Sequence, residues 1–391
     1  MQMEKTKVLH IITRVVNGGA DENTLFTING LDKDKYQIDL LTGKETESEI
    51  LKRISIENHI NVHQVESLVR EIDAVKDFKA LMEIYKIIKD NNYQIVHTHI
   101  AKAGVLGRLA AKMAGVENII HGVHGITFPD QIPVHKREFF KNIERFCGLF
   151  TDKFITVGED MKQKYIKANV GKAEDYLTIR SGMELSDFID ASNNHQDKIN
   201  KLKKELGIAE DDLVVGMVSK LEPRKGYKYY IEVAEKIIAD HPEVKFLIVG
   251  NGSQFDQLKE KVKNLKLQNN IIFTGYRTDI ADVFSIFDIK ILTSLWEGLP
   301  RVLVQAAATA KPIVTFDVDG AWEIVDQGEN GYIVPMKDTE AMVEKLKLLI
   351  EDGKIRNEMG EKSQKKVNDS WTVENMVEET DKLYQELLNL K

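Results

Sequence analysis

The sequence of 391 residues holds a single cysteine, Cys147, so an internal disulfide is excluded and a reducing compartment is expected. Long apolar runs are also missing: none approaches the ~20 residues a helix needs to span a bilayer. The opening stretch, MQMEKTKVLH, lacks the apolar core of a signal peptide, and the expected location is the cytoplasm. There is no excess of positive charge. A net charge of −8 argues against a general nucleic-acid binder, which needs a basic surface. The deficit is uneven. Residues 1–190 carry 26 Lys+Arg against 28 Asp+Glu (26 − 28 = −2), and residues 191–391 carry 28 against 34 (28 − 34 = −6). The first half is therefore the better suited to meet an anionic surface. Short-period repeats and low-complexity tracts are absent.

What is present is an alternation of strand-like and helix-like segments over a length that suits two domains. Strands are predicted at 7–13, 36–42, 94–98, 118–123 and 153–157. Helices are predicted at 21–31, 76–91, 102–115, 135–150 and 159–168, which gives the βαβ rhythm of a doubly wound sheet. The rhythm breaks at the polar stretch 186–200 (SDFIDASNNHQDKIN), read here as the linker. A second cycle follows, with strands at 212–218, 244–249, 270–274, 288–293, 312–316 and 331–334, then helices at 338–352 and 372–390. The expected domains are 1–190 and 191–369. In open parallel sheets, ligands bind beyond the carboxyl ends of the strands, so two such edges facing each other would frame a cleft.

Several segments carry candidate chemistry. Ser294–Pro312 (SLWEGLPRVLVQAAATAKP) follows a strand and opens a helix. Pro300 suits the first turn, and the free N–H groups of the helix from Arg301 make an anion site. Glu297 in the loop can hold sugar hydroxyls, and Gln305 lies within the helix eight positions on. By itself this spacing also fits a plain strand–loop–helix unit with a surface Glu. Gly216–Gly226 (GMVSKLEPRKG) places Lys220 and Lys225 on a strand-to-helix loop, where cations can neutralise a diphosphate. Arg224 ranks below them. Gly250-Asn251-Gly252 and Gly18-Gly19 follow strands, where small residues admit close backbone approach or simply make a turn. The latter pair is not G-x-G-x-x-G, so no dinucleotide fingerprint is supported. His97 and His99 lack acidic or Cys partners, so hydrogen-bonded strand-end histidines are preferred to a metal pair. His121 is read as structural. Asp317-Val318-Asp319 fits D-x-D but is read as loop structure, with no metal. Helix 135–150 carries Phe139, Phe140, Ile143, Phe146 and Phe150 beside Lys136, Arg137, Lys141 and Arg145. An aromatic face in the core is preferred to a face pressed on an anionic membrane.

Taken in order, these segments resemble family 4 glycosyltransferases, retaining enzymes of the GT-B fold. That fold is α/β, with two Rossmann-like doubly wound domains facing across a cleft. Ser294–Ala306 is similar to the S-x-x-E-G-x-P-x-x-x-x-E-A signature: Glu297, Gly298 and Pro300 match, and Gln305 replaces the second acid. Lys220 stands where the family usually has Arg, and Lys225 matches its Lys. Residues 97–108 resemble the H-x-H-x-x-K-A-G-x-L-G-R run of bacterial members that build cell-surface polysaccharides. The resemblance implies that Glu297 and His124 contact the donor sugar, Gln305 the ribose, and Lys220 and Lys225 the diphosphate. Gly18 and Gly19, Gly250 to Gly252, Tyr276 and Arg277 (within GYRTDI), and Leu299 to Arg301 would complete the nucleotide-sugar contacts. A similar Trp371 implies a last helix that returns to the first domain. The donor is expected to be a UDP-sugar and the acceptor a sugar, lipid-linked in some members. No metal is expected, and a peripheral contact with the inner face of the membrane is a further expectation. Two alternatives stand beside transfer: a nucleotide-sugar 2-epimerase, and a non-catalytic subunit of the same fold, which Gln305 favours.

Overall fold

The computed structural model describes residues 4–16, 18–58, 60–193 and 196–389. The chain forms two compact units: Met1–Met183 with Asp369–Lys391, and Glu184–Asn368.

The first unit holds strands β1 (Thr6–Ile11), β2 (Tyr36–Gly43), β3 (Asn61–Val65), β4 (Ile95–His99), β5 (Asn118–Val123), β6 (Lys153–Thr156) and β7 (Tyr176–Thr178). Between them lie α1 (Gly19–Gly30), α2 (Ser48–Asn58), α3 (Ala74–Asn91), α4 (Ala101–Ala114), α5 (Val134–Gly148) and α6 (Glu159–Lys167). The second unit begins with α7 (Ser186–Ser192) and α8 (Gln196–Glu205). It continues with β8 (Val214–Val218), α9 (Tyr227–Asp240), β9 (Lys245–Val249), α10 (Phe255–Asn264), β10 (Ile271–Gly275), α11 (Ile280–Ser285) and β11 (Ile289–Leu292). After these come α12 (Arg301–Ala308), β12 (Ile313–Phe316), β13 (Gly331–Val334), α13 (Thr339–Glu351) and α14 (Gly353–Lys366), and α15 (Val373–Asn389) belongs to the first unit.

Both sheets are parallel. Their orders are β3-β2-β1-β4-β5-β6-β7 and β10-β9-β8-β11-β12-β13. In each, the chain first winds to one side of the first strand and then crosses to the other. The switch points lie between β1 and β4 and between β8 and β11, where ligands of doubly wound sheets bind.

The central strands are apolar on both faces because helices cover both. On one face of the first sheet Val8, Ile38, Leu40, Ile95 and Ile120 pack with Met376, Leu383, Tyr384 and Leu387 of α15. On the other, Leu9, Ile11, Val96 and Ile119 pack with Ala80, Ile84, Ala103 and Leu106 of α3 and α4. Trp371 is buried at the start of α15, with the Arg180 guanidinium 4.8 Å from its ring centre.

Three expectations are corrected. The segment 186–200 is not a bare linker: among its described residues it forms α7 and the start of α8. Its polar residues are the outer faces of these helices, while Phe188 and Ala191 are buried. The strands β3 (NVHQV) and β7 (YLT) were not expected, being sheet edges that are short and, for β3, largely polar. Helix α5 does not turn its aromatic residues into the core. Phe139 and Phe146 are each 56% exposed, and the buried positions are Glu144, Cys147 and Gly148. The reason is electrostatic. Arg108 of α4 is fully buried and needs a carboxylate, which Glu144 supplies at 2.7 Å, and this pairing fixes the rotation of α5.

Candidate functional site

At the switch point of the second sheet, four loops meet. The loop after β8 carries Lys225 and the loop after β11 carries Glu297, and Lys225 Nζ lies 2.6 Å from Glu297 Oε1. Backbone contacts clamp the two loops: Leu295 N–H donates to Arg224 C=O at 2.8 Å, and Thr293 Oγ1 donates to Lys225 C=O at 3.2 Å. Gly226 has φ 68°, and a Cβ there would lie 2.0 Å from Thr293 C=O, so only glycine permits the approach. The loop after β9 closes on the same place. Gly250 has φ 133°, and a Cβ would meet Ser219 C=O at 2.1 Å. Leu221 N–H donates to Asn251 C=O at 3.0 Å. Gly320, after β12, packs against Gly298, Leu299 and Pro300.

The helix α12 begins at Arg301, with Pro300 as the flanking residue; of its first N–H groups, Arg301 donates to Leu299 C=O at 2.9 Å and Leu303 to Pro300 C=O at 2.8 Å. Both partners of the Lys225–Glu297 pair are largely buried, with side-chain exposures of 11% and 8%. The Arg224 guanidinium reaches the other Glu297 oxygen at 3.6 Å, a contact that its lower ranking in the sequence missed. Lys220 is on the same loop but exposed. Gln305 is half-buried in the second turn of α12. Tyr276 is exposed, whereas the Arg277 side chain is committed to Asp279 and to Glu205 at 2.7 Å. The backbone of that segment and the exposed Tyr276 ring are therefore left for a ligand. Asp317 accepts from the Trp322 indole N–H at 2.9 Å in the loop after β12. Sequence reasoning also missed Lys290, fully buried in β11, where its Nζ has no hydrogen-bond partner. Burial pushes its ammonium down to about 7, with Lys225 adding repulsion and Glu297 opposing.

At the switch point of the first sheet the functional groups are uncharged. His10 of β1 stands in register with His97 of β4, and His99 with Gly122 of β5. His97 and His99 are hydrogen-bonded rather than free: His97 Nδ1 to Tyr384 Oη at 2.7 Å, His99 Nε2 to His10 Nδ1 at 2.9 Å, and His99 Nδ1 to His124 Nε2 at 3.0 Å. Burial drives His10 down to about 3 and His124 to about 4, and holds His97 and His99 well below the usual imidazole range. All four are neutral at pH 7. His121 points to the opposite face, against Thr98 Oγ1 at 2.9 Å, with Gly104 leaving room for its ring. Just past His99, the β-branched Ile100 sits at φ 58°, a strained conformation of the kind that clusters at functional sites. Gly18 and Gly19 begin α1 after β1, and Gly18 is extended at φ −155°, so its conformation is open to any residue.

The family model for glycosyl transferases group 1 matches residues 198–366, and that for glycosyl transferase 4-like proteins matches residues 19–157. A UDP-Gal:alpha-D-GlcNAc-diphosphoundecaprenol alpha-1,3-galactosyltransferase of Escherichia coli is 28% identical over 390 residues, covering 98% of each chain. The capsular polysaccharide biosynthesis glycosyltransferase CapM of Staphylococcus aureus is 25% identical, over 82% of this chain and 83% of its own. The fold is shared with the Anabaena protein HepE, solved in complex with UDP. The TM-score is 0.81 at 22% identity, over 97% of this chain and all of the other.

Proposed function

The chain belongs to the group 1 glycosyltransferases, and we propose that it is a retaining enzyme moving a sugar from a UDP-sugar to a lipid-linked saccharide in bacterial cell-surface polysaccharide synthesis. The observation that carries this reading is the buried Lys225–Glu297 pair, with Glu297 on the loop that leads into α12 at the switch point of the second sheet. The diphosphoundecaprenol-linked sugar in the name of the E. coli relative supports the acceptor class, and the capsular polysaccharide biosynthesis named for the S. aureus relative supports the pathway.

In this proposal the acceptor oxygen attacks the anomeric carbon on the face from which the diphosphate departs. The bond to the leaving oxygen breaks with its electron pair, and the acceptor proton passes to the diphosphate. The leaving group is stabilised by Lys225 and the positive end of the α12 dipole, with Lys220 free to swing onto a phosphate. Glu297 has two tasks: it fixes the Lys225 ammonium and accepts from donor-sugar hydroxyls. Gln305 binds the ribose with one acceptor and one donor group, where an acid would offer only acceptors. The segment around Tyr276 and Arg277 meets the base through its backbone, and Gly250–Gly252 let the loop after β9 approach the phosphates. His124 orients the donor sugar, and the loop of Gly18 and Gly19 belongs to the acceptor-side unit. These cations do the work a divalent ion would otherwise do, so transfer proceeds in EDTA.

No described helix is long and apolar enough to cross a membrane. We assign peripheral membrane contact to α5, where exposed Val134, Phe139, Phe146 and Leu149 lie beside His135 and Lys136. Phe146→Glu is expected to abolish flotation on phosphatidylglycerol vesicles while leaving turnover of a water-soluble acceptor unchanged. Flotation equal to wild type would remove this assignment.

The decisive test incubates the enzyme with a panel of nucleotide sugars and polyprenyl-diphosphate saccharides. Consumption of a UDP-sugar with formation of an α-linked product is expected. Release of a donor epimer without acceptor would instead identify an epimerase, and nucleotide binding without turnover a non-catalytic subunit.

A further inference from the structure

The histidines of the first sheet are linked into one continuous chain of hydrogen bonds. It runs from His97 Nδ1 to Tyr384 Oη (2.7 Å), from Tyr384 Oη to His10 Nε2 (3.3 Å), from His10 Nδ1 to His99 Nε2 (2.9 Å), and from His99 Nδ1 to His124 Nε2 (3.0 Å). A neutral imidazole carries one proton on one of its two nitrogens, and a phenol has one O–H. Tyr384 Oη could accept from both His97 and His10 only by leaving its own buried O–H without an acceptor, a costly defect; with that O–H spent within the chain every link must point the same way, and two polarities remain. Either all protons point toward His124, or all point toward His97.

The far end of the chain decides between them. His97 Nε2 is buried and has no hydrogen-bond partner. It lines a cavity of about 20 Å³ together with Asn23, whose Oδ1 is likewise buried and unpartnered. Were the chain polarised toward His97, its Nε2–H would face this space, and one water there would accept from it and donate to Asn23 Oδ1, leaving its second O–H unspent. Polarised toward His124, it leaves a bare lone pair beside the lone pairs of Asn23 Oδ1. That is a pair of acceptors that the two O–H groups of one water match, and the cavity has room for one.

We propose that Tyr384, His10 and His99 are positioning residues that lock His124 as its Nδ1–H tautomer, so that His124 presents a hydrogen-bond donor to the donor sugar. The role of His124 as the sugar contact rests on the function proposed above; the tautomer lock does not. Gly122 is part of the device. A Cβ at this position would lie 2.9 Å from His99 Nδ1, 3.0 Å from His124 Nε2 and 3.3 Å from His97 Nε2, wedging the rings apart. Tyr384 reaches the chain from α15, so the returning helix sets the chemistry of a strand end far away in sequence.

The test is a two-bond proton–nitrogen correlation spectrum of the full chain labelled with nitrogen-15 in histidine, assigned by single His→Gln variants. His10, His99 and His124 should all carry the proton on Nδ1. In Tyr384→Phe, which keeps the ring but removes the hydroxyl, His10 and His124 should become tautomer mixtures. Donor turnover should fall about tenfold while UDP affinity stays at the wild-type value. Gly122→Ala should give the same spectrum change. An Nε2–H form of His124 in the wild type would overturn the lock, as would unchanged tautomers in Tyr384→Phe. Zinc retained against a chelator would overturn it too, because ligand nitrogens of His10, His97 and His99 lie within 4.8 Å of one another and would then be metal ligands. Full donor turnover by His124→Ala, with the predicted wild-type spectrum, would instead sink the role of His124 in the proposed function and leave the lock standing.

Discussion

The two switch points solve opposite electrostatic problems with the same topology. Between β8 and β11 the chain keeps a cation and an anion at 2.6 Å, largely out of water. Between β1 and β4 it collects four imidazoles, His10, His97, His99 and His124, and keeps all of them neutral. The first arrangement can receive a dianionic leaving group, because Lys225 can exchange Glu297 for phosphate. The second can direct a hydrogen bond but cannot hold a diphosphate. Fold alone does not allot these tasks; the side chains at each carboxyl edge do.

Acid should separate the two units most strongly. An unfolded histidine titrates near 6.5, whereas His10 and His124 titrate at about 3 and about 4 when folded. Between those values the unfolded chain binds more protons, so stability is complete above pH 6.5 and falls as pH drops toward 4. Each such histidine contributes about 1.4 kcal/mol per pH unit within its window. Urea unfolding at pH 7 and pH 5 should show the first unit losing several kcal/mol and the second much less. Equal losses would break the contrast.

The next effect concerns an ion pair with no place in the chemistry. Glu144→Ala strands the buried Arg108 and should destabilise the first unit by about 3–5 kcal/mol, with activity per folded molecule unchanged. The paired replacement of Arg108 by Met and Glu144 by Leu should recover most of the loss.

Lys225→Ala is the counterpart in the second unit. It should lower kcat/KM by about 10²–10³, with only a modest fall in Tm because Arg224 still reaches Glu297. Near-normal transfer would remove Lys225 from the leaving-group site.

The smallest effect tests Lys290. Its folded pKa of about 7 lies below the unfolded 10.5, so between these values the unfolded chain binds the extra proton and stability rises with pH. Lys290→Met should raise Tm at pH 7 by about 2–4 °C per kcal/mol gained, and should flatten the rise between pH 7 and 10. A lower Tm would mean that the amine has a stabilising partner.

The sequence made the βαβ rhythm and the glycine-bearing loops legible, because both are local: a strand of five residues and the turn after it lie within one short window. Lys225 and Glu297 could be singled out separately, but their contact follows from the neighbouring of β8 and β11. His10 was hidden inside an apolar run, KVLHIIT, and only the register of β1 against β4 puts it beside His97. Tyr384 lies 287 residues from its hydrogen-bond partner His97. No periodicity argument reaches that distance. The aromatic spacing of α5 misled for a related reason: helical periodicity identifies a face, and Arg108 on another helix decides which way it turns.

Hydrogen–deuterium exchange with and without UDP tests the central claim most directly. Slowed exchange is predicted in residues 218–226, 250–253, 275–280 and 297–305, with the Gly18–Gly19 loop unaffected. Protection confined to the first unit, or none in the segments bearing Lys225 and Glu297, would contradict the account.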